Sequence, residues 1–120
     1  MAEDALARAL KKRREISITV IGRRTGRRIT VPVWFVYDGN ALWLLPVQGS
    51  HTQWYRNLRA DRAIRIQAGT ERRDFRARLL KSAPAVREVV WRFREKYSAE
   101  QIKRWYAGLD VAVRVAIRPS

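Results

Sequence analysis

The stretch from Ile16 to Tyr37, ISITVIGRRTGRRITVPVWFVY, reads as two β-strands joined by a tight cationic turn. In the first arm Ile16, Ile18 and Val20 alternate with Ser17 and Thr19, the period of a half-buried strand. Gly22 and Gly26 bracket Arg23, Arg24 and Thr25, and Arg27 and Arg28 follow. Glycine lets the chain reverse while guanidinium groups crowd the rim, an arrangement suited to an anion. The second arm sorts by parity: Ile29, Val31, Val33, Phe35 and Tyr37 share one face, and Arg28, Thr30, Pro32, Trp34 and Val36 the other. Successive strand residues point to opposite sides, so the first set is expected to be core. The second set offers a cation, a hydroxyl and a flat aromatic, groups that suit a planar phosphorylated ligand.

Working outward, Ala5, Leu6, Ala9 and Leu10 recur at helical spacing, and Lys11 to Arg14 place positive charge at the end the helix dipole favours. Residues 1–14 therefore read as a short amphipathic helix lying as a lid on the sheet. Asp38-Gly39-Asn40 is a hairpin turn, Leu42 to Leu45 form the return strand, and Pro46 marks its end. Gly49 and Ser50 then precede a helix over 52–60. Their amides and hydroxyl support two readings, a phosphate cradle or ordinary capping by Ser50 or Thr52. In that helix Trp54 and Leu58 lie one turn apart and face inward, while Asn57 is expected to tie down a neighbouring loop by hydrogen bonds.

Ile64 to Ala68 and Arg72 to Leu80 form another hairpin across Gly69-Thr70, with Phe75, Ala77 and Leu79 on one face and Asp74, Arg76 and Arg78 on the other. Pro84 opens a core-packing helix carrying Val86, Val89, Val90, Phe93 and Tyr97. Ser98 with Gln101 has the spacing of a capping box and starts a shorter helix bearing Ile102, Trp105 and Tyr106, which Gly108 stops. Residues 110–118 alternate as a last strand. The pattern is α+β, mainly β, with about six antiparallel strands and flanking helices.

With 120 residues and 47% hydrophobic content, the chain is long enough for one domain with a substantial core, spanning 1-120. There is no cysteine and one histidine, His51, with no carboxylate cluster beside it, so neither a thiol nucleophile nor a metal centre is expected. No serine has an adjacent base, which leaves no catalytic side chain of its own. Any reaction is then carried by a bound cofactor, for which the protein supplies shape and charge. The N-terminus lacks the order of a signal peptide and no apolar run reaches membrane-spanning length, so a cytoplasmic location is expected. The formal net charge of +15 concentrates anions, whether nucleic acid, an anionic membrane or a phosphorylated cofactor. Five tryptophans could stack on bases, but no RNA- or DNA-binding motif accompanies them, so a basic binding module is the second reading.

Four segments in order, Gly22-Arg23-Arg24-Thr25-Gly26-Arg27, Val31-Pro32-Val33-Trp34, Asp38-Gly39-Asn40 and Trp54-Tyr55-Arg56-Asn57-Leu58-Arg59-Ala60, resemble the deazaflavin-dependent nitroreductase family. The resemblance covers residues 16 to 80. It implies a split β-barrel related to the flavin-binding barrels, with coenzyme F420 as ligand and FMN or haem as the alternatives related barrels hold. It implies hydride transfer to a nitro compound, quinone or similar acceptor, and a homodimer that shares its groove. By position, Arg24 matches a basic residue facing the cofactor's anionic tail, with Arg27 and Arg28 able to assist. Pro32 and Trp34 match the wall beside the ring, and Trp54, Asn57 and Leu58 the groove's helix. The chain departs from the family at Val47 and Gln48, where a serine and a lysine help to hold phosphate, at Ile29, where a basic residue is common, and at Asp61-Arg62, in place of Asn-Pro.

Overall fold

The computed structural model describes residues 4–117. Four helices, α1 (Ala5–Lys11), α2 (Gln53–Ala60), α3 (Ala83–Tyr97) and α4 (Ala99–Trp105), surround seven strands. The strands are β1 (Glu15–Ile21), β2 (Arg28–Trp34), β3 (Val36–Tyr37), β4 (Ala41–Leu44), β5 (Ala63–Ala68), β6 (Glu71–Leu80) and β7 (Ala112–Ala116). They form one antiparallel sheet in the order β2-β1-β5-β6-β7-β4-β3.

That order determines the shape. β2 and β3 are one residue apart in the chain yet occupy opposite edges of the sheet, so the sheet must curl until its edges meet at Phe35. Phe35 is fully buried, and its backbone groups leave the ladder. Its N–H donates to the Tyr97 hydroxyl at 3.0 Å, and its carbonyl accepts from that hydroxyl and from Lys96 Nζ, each at 2.8 Å. Side chains of α3 thus supply the partners a neighbouring strand would have given. This corrects the expectation of an unbroken strand through Tyr37; the break makes two strands of one and brings the count to seven.

Alternation fills the inside of the curl. Ile16, Ile18 and Val20 of β1, Ile64 and Ile66 of β5, and Val113 and Val115 of β7 are buried together, as their parity predicts. Leu6 and Leu10 of α1 and Tyr55 and Leu58 of α2 join the same cluster, and each fully buried side chain of this size contributes about 1.5 to 3 kcal/mol relative to exposure. Ile29 departs from its parity. It stands at the turn end of the edge strand β2, is 41% exposed, and covers Gly22, with its Cδ1 3.1 Å from the place a Cβ there would take.

A second cluster packs α3 and α4 against the other side of β4 and β7, where Val86, Val89, Val90, Phe93 and Tyr97 form the expected helical stripe. α4 starts at Ser98, whose Oγ accepts from the Gln101 N–H at 3.2 Å, and it ends at Trp105, earlier than Gly108 suggested. Ile102 and Tyr106 are buried there, but Trp105 is 60% exposed, because the helix presents it on the side away from α3's stripe.

Candidate functional site

The arginine turn closes through backbone bonds, from Gly22 N–H to the Arg27 carbonyl at 2.7 Å and from Gly26 N–H to the Gly22 carbonyl at 2.8 Å. Gly26 has φ of +74°, in the left-handed region that favours glycine. One arginine turns inward. The Arg23 amide and guanidinium donate to Asn57 Oδ1 at 3.1 and 2.8 Å, and its second guanidinium nitrogen donates to Gln53 Oε1 at 2.9 Å. Asn57, buried on α2, is therefore the residue that ties the turn down. Arg24, Arg27 and Arg28 remain exposed on the rim and make no ion pair among the described residues.

The same helix borders a cleft of about 320 Å³. Pro32, Val33 and Trp34 of β2 form one wall, with Glu15 beside them at the start of β1. Trp54 of α2, Leu45 and Val47 after β4, and Trp105 and Tyr106 at the end of α4 complete the lining. Trp34 is held flat by a stack on Tyr97, with ring centroids 4.5 Å apart and planes 10° from parallel. Tyr106 tilts against Trp34 at 6.1 Å, and Phe93 supports both tyrosines. Offset and tilted aromatic contacts of this kind fix ring orientation as well as burying area. Burial pushes the Tyr97 phenol up to about 12, and it raises that of Tyr106, helped by Tyr97. Both stay protonated at neutral pH. Tyr106 lines the cleft, and its hydroxyl makes no hydrogen bond among the described residues.

The structure thus brings Pro32, Trp34 and Trp54 together in one cleft, and through Asn57 it ties the arginine turn to the helix that carries Trp54. Leu58 is different. One turn beyond Trp54, it is completely buried in the barrel core and offers no surface to a ligand. Gly49 and Ser50 lie in a short 3-10 turn, Gly49–His51, where the Ser50 amide and hydroxyl donate to the Asp110 carboxylate at 2.9 and 2.7 Å. The cradle read as a phosphate site is filled by the chain's own carboxylate. Nor does either candidate cap α2 with its side chain, since Thr52 Oγ1 accepts from the Gln48 N–H at 2.8 Å instead. Glu15, Leu45, Val47, Trp105 and Tyr106 were not anticipated. Only Glu15 had a readable signal, because extending the first strand by one residue places it opposite Trp34 on the same outer face. Among the described residues no cluster of His, Asp and Glu could hold a metal, and no helix is long and apolar enough to cross a membrane.

The sequence profile of the F420H(2)-dependent quinone reductase family matches residues 2–118 of this chain. The protein belongs to that family. No curated protein is similar enough to count as a match. Among solved structures, the F420-H2 dependent reductase FDR-A is similar at 20% identity and a TM-score of 0.67, over 86% of this chain and 94% of that one. A structure described as a domain-swapped dimer is also 20% identical, with a TM-score of 0.68 over 86% of this chain and 80% of its own. A FAD-binding protein from Mesorhizobium loti is 16% identical, with a TM-score of 0.66 over 98% and 91%. The curled sheet is therefore a split barrel of the kind found in these neighbours, and the family makes this chain an F420-dependent oxidoreductase.

The residues fit such a cofactor at two points. A flat apolar cleft suits a planar ring, and the exposed guanidinium groups suit an anionic tail. The Ser50 cradle, engaged by Asp110, does not add a third.

Proposed function

We propose that the aromatic cleft receives the deazaflavin ring and a planar acceptor, and that Arg24, Arg27 and Arg28 hold the cofactor's anionic tail. One observation carries this reading: α2 gives Trp54 to the cleft and the flanking Gln53 and Asn57 to Arg23, so cleft and cationic turn are fixed to one rigid element. When bound, the reduced cofactor supplies a hydride to the acceptor. The chain's part is positional: Trp34 and Pro32 form a flat wall, Trp54 and Leu45 exclude water, and the protonated Tyr106 hydroxyl donates a hydrogen bond to an acceptor oxygen. Holding two planar reactants at contact distance is itself a large part of such a rate enhancement.

The acceptor class is a quinone or a similar planar compound, and a nitro compound is the other arm of the test. A homodimer that shares the groove fits the β1–β2 outer face, where the hydroxyls of Ser17, Thr19 and Thr30 stand beside Pro32. Sedimentation should then give about twice 14.1 kDa.

The test is titration of the purified protein with F420, FMN and haem, followed by oxidation of reduced F420 with a quinone and with a nitro compound. Saturable binding of F420 and quinone-dependent oxidation are expected. Saturable binding of FMN or haem alone would overturn the reading.

A further inference from the structure

Charge along the β1–β2 hairpin is ordered by position. Arg23, Arg24, Arg27 and Arg28 stand at the turn, and at the far end Glu15 lies opposite Trp34. The register pairs between Glu15↔Trp34 and Ile21↔Arg28 separate these ends by roughly 20 Å at the usual rise of a strand. Among the described residues Glu15 is the one charged side chain lining the cleft. In a chain with 26 Lys and Arg against 11 Asp and Glu, it nevertheless makes no ion pair among the described residues. Arg14, its neighbour in sequence, is placed over the Tyr97 ring at 5.1 Å instead. The carboxylate's field reaches the Tyr97 phenol, which burial chiefly raises, although there it is smaller than the opposing field of Arg14.

We infer that Glu15 selects the acceptor by charge, so that the cleft takes planar acceptors that are neutral or cationic and turns away those carrying a sulfonate or carboxylate on the ring. The inference rests on the cleft being the acceptor site. Two fields oppose each other here. The net charge of +15 draws anions toward the whole surface, but at physiological salt that attraction is screened over about 8 Å. Glu15 acts at contact range, where screening is weak. A unit charge about 6 Å away, at an effective dielectric of about 40 for an exposed carboxylate, between that of bulk water and that of a protein surface, weakens binding of a like-charged ligand about tenfold. Selection is therefore local, and it runs against the sign of the protein as a whole.

The experiment is isothermal titration at physiological salt with 1,4-naphthoquinone and with its 2-sulfonate, with oxidised F420 saturating and again without it. The chain has no cysteine, so quinones find no thiol to alkylate. Wild type, Glu15→Gln and Glu15→Lys are compared, with a thermal melt of each to verify folding; the exposed position of Glu15 makes loss of fold unexpected. Wild type should bind the neutral quinone about tenfold more tightly than the sulfonate. Glu15→Gln should bring that ratio toward one, and Glu15→Lys should invert it. The same ratio in all three proteins overturns the role of Glu15 and leaves the cleft assignment standing. Failure of both quinones to bind wild type overturns the cleft assignment, and this inference with it.

Discussion

Asn57 accepts two hydrogen bonds from Arg23, 34 positions earlier in the chain, one from the backbone amide and one from the guanidinium. A buried side-chain oxygen on a helix thereby sets the position of an otherwise exposed turn. Asn57→Ala removes that acceptor and should cost about 1 to 3 kcal/mol in urea denaturation. It should also weaken F420 binding, because the turn is no longer held against α2. Asn57→Asp keeps an acceptor for Arg23 and should retain most of the affinity. An alanine variant as stable and as tight-binding as wild type would show that the interaction is incidental.

Trp34 and Trp105 both line the cleft, but only Trp34 is stacked into the fold. Trp34→Ala should lower stability by about 2 to 3 kcal/mol, less than a fully buried tryptophan because it is half-buried, and it should impair quinone binding as well. Trp105→Ala should leave the melting temperature within a degree or two, roughly the effect of a surface change, while still weakening quinone binding. Melts and titrations on the two variants separate packing from recognition. Equal destabilisation by both would contradict the assignment.

Gly49 and Gly108 meet where the loop after β4 crosses the loop after α4. A Cβ at Gly49 would lie 1.8 Å from the Gly108 carbonyl oxygen, and its φ is +58°, so Gly49→Ala combines overpacking with strain and should cost about 3 kcal/mol or more. Gly108 has φ of +67° but its nearest neighbour would be 3.5 Å away, so Gly108→Ala should cost only about 1 to 2 kcal/mol. Urea denaturation of both variants checks the order.

Lys96 makes stability depend on alkaline pH. Its Nζ donates to the Phe35 and Arg13 carbonyls at 2.8 and 3.2 Å, while burial and then the charge of Arg14 pull its pKa from 10.5 to about 8. Between those values the unfolded chain holds the proton that the folded protein has lost, so stability rises with pH across the window. Tyr97, pushed up to about 12 chiefly by burial, acts oppositely from pH 10 upward, where the unfolded phenol ionises first and stability falls. Lys96→Met should remove the rising limb. The stability of wild type relative to this variant should therefore increase from about pH 8 to about pH 10 and stay flat below about pH 7. A flat difference throughout would contradict this.

Periodicity made most of the fold legible, because alternation in β1, β5 and β7 and the stripe of α3 report burial directly. What it could not show was the closure at Phe35. Parity continues unbroken through that residue, and only α3, arriving some sixty positions later with Tyr97 and Lys96, takes its backbone out of the ladder. The site divides in the same way. Pro32, Trp34, Trp54 and the arginine turn were readable as motifs, and Asn57 as a polar residue beside a buried one. For Leu58 the two readings part: helical spacing faces it inward, where it is buried, while the motif match that set it on the groove's helix says nothing of depth. Trp105, Tyr106, Leu45 and Val47 reach the cleft only through tertiary packing, pinned by the Ala107 N–H to Val47 carbonyl bond at 2.8 Å. Ser50 was read from the helix start it precedes, whereas its partner Asp110 lies 60 positions away.

The proposed division of labour gives the cofactor's tail to the exposed arginines of the β1–β2 turn and its ring to the cleft. It is tested by isothermal titration of F420 into wild type and into a variant with Arg24, Arg27 and Arg28 all replaced by alanine. Each charge-assisted hydrogen bond removed is worth about 1.5 to 3 kcal/mol, so affinity should fall from about tenfold to more than a hundredfold. The melting temperature should hardly move, because exposed arginines without ion pairs contribute little to folding. Unchanged F420 affinity in the triple variant would contradict this division, leaving the turn as a solvated hairpin and the tail's anchor elsewhere.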